Sequence, residues 1–206
     1  MTADRDSFDR RRFPAMAAYL DKLPSGLDSY PDCQVRAVFL RSIADEYSLL
    51  PLCSVLPPIL AELLSHLPPS SSWISQVHFR CLLRVLLDEH FSDEAAMLAW
   101  SYASQSKLLG GPLYRVMFAL LSPERAVRLA PQRWGHFHRG LTLEVDASRG
   151  RAQGILRHPR NLYQRLDHGL SLAGMRAVLE LSGAKDVRTE QQETGPTQSR
   201  GLLIWS

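Results

Sequence analysis

The stretch RWGHFHRGLTLEV, residues 133 to 145, sets His136 and His138 two positions apart, followed at the same parity by Thr142 and Glu144. On a strand, two imidazoles at that spacing project from one face with Cβ atoms about 7 Å apart, near enough to share a zinc or iron ion. Glu144 would stand about 20 Å further along an extended strand at ~3.3 Å per residue, so it cannot join them without a bend. A third ligand would have to come from His158 on a neighbouring strand or His168 on a helix. The competing reading is a strand that buries Phe137, Leu141, Leu143 and Val145 and carries its histidines on the outward face. The sequence favours the strand, with a metal at His136 and His138 as the alternative.

The same region concentrates positive charge. Seven arginines (133, 139, 149, 151, 157, 160 and 165) stand between Arg133 and His168 against Glu144, Asp146 and Asp167. A charge run of this kind is ordinarily the solvated face of a sheet and a helix; the functional alternative is an anionic head group held by Arg133, Arg139 or Arg157. The net charge of +3 is too small to argue for a nucleic-acid partner, and no basic motif is interleaved with aromatics. No catalytic residue can be read: the serines lack a G-x-S-x-G elbow, and LLGGPL has no following Lys-Ser/Thr.

The elements that must position these residues fall into two halves. Over residues 31–130 the apolar period is helical. Tyr30-Pro31 opens a helix bearing Val35, Val38, Phe39, Ile43 and Tyr47, and Ile59, Leu60, Leu63, Leu64 and Leu67 mark another. Trp73 to Glu89 reads as a helix whose stripe is Ile74, Val77, His78, Cys81, Leu82, Val85 and Leu86, with Gln76, Arg80, Arg84 and Asp88 facing away. His78 at the stripe's edge reads as a core histidine. Ser92 caps a helix running to Gly110-Gly111-Pro112; a further helix carries Tyr114, Met117, Phe118 and Leu121, and Ser122-Pro123-Glu124 starts a short one.

After Pro131 the period becomes two. A strand through residues 136–145, a turn at DASRG and a returning strand Arg151 to Arg157 make a hairpin. Leu162, Leu166, Leu170, Ala173, Ala177 and Leu181 then define a helix that Gly183 stops, and strands at Val187 to Gln191 and Leu202 to Trp205 complete a second hairpin. The expected fold is α+β: a helical N-terminal half packed on a four-stranded, mostly antiparallel sheet in β-β-α-β-β order. Residues 1–30 form a partly helical extension, and residues 31–206 form one domain, helical over 31–130 and β-β-α-β-β over 131–206.

Cys33, Cys53 and Cys81 are scattered, which suits buried thiols in a reducing compartment. MTADRDSFDRRR holds no apolar signal core, and the uncharged stretch Leu49 to Ala61, broken by Pro51, Pro57 and Pro58, is too short to span a bilayer. The expectation is a cytoplasmic protein with no transmembrane segment.

VRAVFLRSIAD (35–45), AMLAWSYASQSKLLGGPLYRVMFALL (96–121), RWGHFHRGLTLEV (133–145), LAGMRAVLELSGAKDV (172–187) and GLLIW (201–205) together resemble a myxobacterial family of paralogous proteins, over residues 24–206. The second half is also similar to vinyl-reductase type domains and, more distantly, to the fold shared by haem nitric-oxide sensors and scaffold subunits of vesicle-tethering complexes. These resemblances imply an α+β ligand-binding or dimeric scaffold domain and supply no catalytic residue. The Tyr-x-Ser-x-Arg haem-propionate motif of the sensors is absent, since YQR (163–165) and YRV (114–116) depart from it. The cysteine-rich metal arrangement of some vinyl-reductase type domains is missing too, so no cofactor is firmly implied.

The functional expectation is a non-enzymatic signalling or regulatory module, possible as a homodimer, that binds a partner protein or a small hydrophobic or anionic ligand and no nucleic acid. The alternative is a metal-dependent enzyme or metal sensor using His136 and His138.

Overall fold

The computed structural model describes residues 8–111 and 121–206. Tyr114, Met117 and Phe118, assigned to a helix from the sequence, lie outside the described residues. The fold is α+β with a four-stranded antiparallel sheet. It divides into two compact units, one running to Ser92 and including Phe137–Gly140, the other comprising Asp93–His136 and Leu141–Ser206. No described helix is long and apolar enough to cross a membrane.

In the first unit, helices α1 (Pro14–Leu20), α2 (Val38–Glu46), α3 (Pro58–Ser65) and α4 (Gln76–His90) accompany a small antiparallel sheet. Its strands are β1 (Gln34–Arg36), β2 (Trp73–Ser75) and β3 (His138–Arg139), in the order β2-β1-β3. This sheet corrects two readings. The helix expected from Pro31 begins only at Val38, and the one expected from Trp73 begins at Gln76, because Val35 and Ile74 pair across β1 and β2. Three-residue strands are too short to show a period of two in the sequence.

The polar face of α4 is a third correction. Gln76, Arg80 and Arg84 are buried, with at most 4% of their surface exposed. Helix α1 covers that side: the Arg84 guanidinium lies 4.3 Å from the Tyr19 ring centroid, and the Asp88 carboxylate accepts from the Ala15 backbone N–H at 3.2 and 3.1 Å. The arginines tolerate this because each guanidinium lies against an aromatic face, Arg80 over Phe79 at 5.5 Å.

In the second unit, α5 (Glu94–Leu109) starts at Asp93, whose side chain accepts from Ala96 N–H at 2.8 Å; the cap is one residue beyond the Ser92 expected. Helix α6 (Pro123–Phe137) begins at the anticipated Ser-Pro-Glu signal but runs through Pro131 for 15 residues. Proline lacks the N–H that the Val127 carbonyl would bind, which makes the sequence look broken there. The strand expected from 136 therefore starts later. Strands β4 (Thr142–Ser148) and β5 (Arg151–Arg157) form the first hairpin, α7 (Arg165–Leu181) follows, and β6 (Arg188–Thr194) and β7 (Gln198–Ile204) form the second. This is the β-β-α-β-β order anticipated, with sheet order β4-β5-β7-β6.

Helix α7 starts with a capping box in which Asp167 accepts from Gln164 N–H at 2.9 Å, and Gly183, at φ +93°, follows its end. It packs on α5 along one side and on β6 and β7 along another. The core beneath it gathers Val127, Leu172, Leu179, Val187, Leu203 and Trp205.

Candidate functional site

The residues singled out from the sequence do not share a site. His136 is exposed in the last turn of α6, whereas His138 is on β3, so they are not neighbours on one strand face. His138 points inward: its strand partner is Val35, whose side chain is fully buried. Its Nδ1 lies 2.8 Å from Gln76 Nε2 and its ring stacks on Phe39 at 5.9 Å. Burial, with the charge of Arg80 second, pushes its pKa down to about 3, so the ring is neutral at physiological pH. Among the described residues no three His, Cys, Asp or Glu side chains come together as a metal site.

The three arginines part company as well. Arg133 is exposed on α6. Arg157 is held by Glu144 across the β4–β5 pair at 2.7 and 3.3 Å, so its charge is already met by a carboxylate. Arg139, on β3, stacks on Trp73.

What the second unit does assemble is an apolar cavity of about 50 Å³ between α6, α7 and the sheet. Val127 and Trp134 come from α6, Leu143, Val145 and Leu156 from β4 and β5, and Leu172 and Met175 from α7. Alternation on β4 aims Leu143 and Val145 inward, as the sequence pattern anticipated. The polar groups at the cavity are Ser171, Ser199 and His168. His168 is the fourth residue of α7, only 4% exposed, with Nδ1 3.4 Å from Thr194 Oγ1. Burial, and secondarily the charge of His158, lowers its pKa to about 4. The cavity therefore offers a neutral imidazole, which has one nitrogen to donate and one to accept.

Ser199 is fully buried on β7, its Oγ 3.4 Å from His158 Nε2. His158 Nδ1 lies 2.9 Å from the Pro159 carbonyl, which can only accept; Nδ1 therefore carries the proton and Nε2 accepts from the Ser199 hydroxyl. That is the orientation of a base beside a nucleophile, but about 50 Å³ leaves no room for an acyl substrate. The pair reads as a satisfied polar contact in the wall.

From the sequence His168 stands out only as a spare metal ligand, and Ser199, Trp134 and Met175 carry no signal of a site. The legible signal was a histidine on the inner face of a helix whose next turn carries glycine and leucine; that the space in front of it stays open depends on packing.

The α+β fold of this chain is similar to that of H-NOX domains of solved structure. No family model and no curated protein matches the chain. Similarity to solved structures is extensive in length and low in identity. The Fe(II) unliganded H-NOX protein from K. algicida superposes with TM-score 0.55 and 11% identity, covering 83% of this chain and 96% of that one. A Cs H-NOX mutant gives 0.58 and 7% over the same shares. An oxygen-binding H-NOX domain related to soluble guanylate cyclases gives 0.52 and 8%, covering 82% and 92%. At these identities the shared property is the fold.

One structure of similar fold concerns haem in the H-NOX family, and the cavities within each unit of this chain can be compared with the size of that group. Cofactor pockets run about 300–1,000 Å³, whereas the His168 cavity has about 50 Å³. A larger groove in the first unit, about 400 Å³, runs between residues 44–50 and Leu64, Ser65 and Leu67. It presents no histidine, cysteine or methionine as an axial ligand, and burial raises the pKa of Tyr47, disfavouring the phenolate. Asp45 and Glu46 in its lining would repel propionates. Neither cavity fits a haem.

Proposed function

We propose that the protein is a non-enzymatic sensor module that takes up a molecule of only a few non-hydrogen atoms in the cavity at His168. The observation that carries this reading is the combination of an apolar lining with one neutral, buried imidazole. An apolar wall favours an uncharged guest, and a single imidazole and two hydroxyls fix a dipolar one in orientation. A cavity of this size and lining is large enough for a small guest and too apolar to hold water firmly.

Occupancy would be read out by α6, which contributes Val127 and Trp134 to the wall and whose C-terminal turn leads into β3. A guest that contacts α6 in one arrangement and not in another shifts the balance between them, and a partner protein that senses α6 would receive the signal. The H-NOX fold supports the reading as a precedent for a ligand-binding sensor, with this chain using its own cavity.

The test is hydrogen exchange of α6 with and without pressurised xenon, a neutral guest of suitable size. Slower exchange over residues 123–137 in the presence of xenon supports the proposal; exchange unchanged in α6 while the gas is bound removes the sensing role.

A further inference from the structure

The four-stranded sheet of the second unit turns one side to the His168 cavity, where Leu143, Leu156, Gly201 and Leu203 line the wall. The alternate residues of each strand therefore face outward, and strand register aligns them in rows. One row runs Ser148, Arg151, Ile204, Arg188 across β4, β5, β7 and β6. The next, about 7 Å along the strands at two residues' rise, runs Asp146, Gln153, Leu202, Glu190.

The first row is basic around an apolar centre. Arg151 and Arg188 are exposed on either side of Ile204, which is 43% exposed and is the one exposed large hydrophobic residue described in this unit. The second row is acidic at both ends, with Asp146 and Glu190 exposed. Its middle is closed: Gln153 donates to Gln192, the extra residue of the β6 bulge, at 2.7 Å, and Leu202 between their strands is only 6% exposed. Nearby charges on this face are already matched, Glu144 by Arg157 and Glu193 by Arg200. Arg151, Arg188, Asp146 and Glu190 enter no ion pair or side-chain hydrogen bond among the described residues.

A face with a basic row beside an acidic one is complementary to a second copy of itself, and charge selects how the copies meet. A two-fold axis running along β7 sets Arg151 against the second copy's Arg188, and one running between β5 and β7 sets Asp146 against the second copy's Glu190. Both place like charges in contact, which is unfavourable. An axis running across the strands, midway between the two rows, instead sets Arg188 on the second copy's Glu190 and, by symmetry, Glu190 on the second copy's Arg188. It also seats Ile204 at the second copy's Leu202 and leaves Arg151 one strand spacing, about 4.8 Å, from the second copy's Asp146. We infer that the outward face of the β4-β5-β7-β6 sheet is the interface of a homodimer built about this axis. Burial of Ile204 supplies its apolar centre, and the Arg188–Glu190 pairs fix its register. The interface lies on the opposite side of the sheet from the His168 cavity and stands independently of it.

The experiment is sedimentation equilibrium of the whole protein at low ionic strength, run on the unmodified chain, on Arg188→Glu, on Glu190→Arg, and on an equimolar mixture of the two variants. Both positions are exposed on the edge strand β6, so the variants keep the fold. The expected result is a concentration-dependent dimer whose dissociation constant rises about tenfold or more in each variant alone. In the mixture every acidic side chain of the pair again faces a basic one, so the dimer returns. A monomer at every concentration of the unmodified chain, which would leave the face to another occupant or to solvent, overturns the inference. So does a dimer that Arg188→Glu leaves unchanged, or a mixture that associates no better than its components.

Discussion

A Cβ placed on Gly201 would stand 3.0 Å from His168 Nε2 and 2.6 Å from Leu172 Cδ2. The inner face of β7 thus omits a side chain where α7 lays its imidazole and its leucine, and the cavity beside them exists because that contact is glycine. Gly201→Ala forces both side chains to shift within a packed layer. The expected cost is about 1–3 kcal/mol, read as a lower denaturant midpoint with an unchanged slope.

Stability should fall with acid in a defined window. His168 and His138 have an ordinary pKa of 6.5, lowered in the folded chain to about 4 and about 3. Below 6.5 the unfolded chain takes up protons that the folded chain refuses, so the free energy of unfolding falls as pH drops toward 4, and the full stability is present above about 6.5. For His168 the loss is on the order of 3 kcal/mol. Urea midpoints measured from pH 7.5 to 4 should decline, and His168→Gln should flatten the decline. An equally steep decline in that variant would contradict the assignment.

Asp88 ties α1 to α4 by accepting from the Ala15 N–H, and burial raises its own pKa. Asp88→Ala leaves the first turn of α1 with unmet donors and should destabilise the protein by about 1–2 kcal/mol. Asp88→Asn, which still offers an oxygen, should recover part of that. Equal losses in the two variants would argue that the carboxylate's charge, not its acceptor oxygen, matters.

Arg157 and Glu144 are both about half exposed. Exposed pairs contribute little because water screens them and two side chains must be ordered. Arg157→Ala should leave the thermal midpoint unchanged within error at moderate salt.

These contrasts show which features a sequence can carry. The two hairpins and α7 were legible because their signals are local: alternation over Thr142 to Val145, turn residues at Arg149-Gly150, apolar steps from Leu166 to Leu181. The three-stranded sheet was not, since β1, β2 and β3 are two or three residues long and pair at long range, Gln34 with Ser75 and, more than a hundred positions away, with Arg139. The same distance dependence hid the burial of Arg80 and Arg84, which follows from a helix some sixty residues earlier and from neighbouring aromatics. His136 and His138 looked alike because a proline at 131 resembled a helix end, and the helix passed through it. The cavity was half legible: its apolar wall could be read from β4 and α7, its opening could not.

The proposed sensing role depends on the space at His168 accepting a small uncharged guest. Methyl-resolved NMR of the whole protein under increasing xenon pressure, with Leu143, Leu172 and Met175 assigned, tests it directly. Saturable shifts at those three residues, abolished in Gly201→Leu, are the predicted result. Methyl resonances that move only linearly with pressure, and equally in Gly201→Leu, would contradict it.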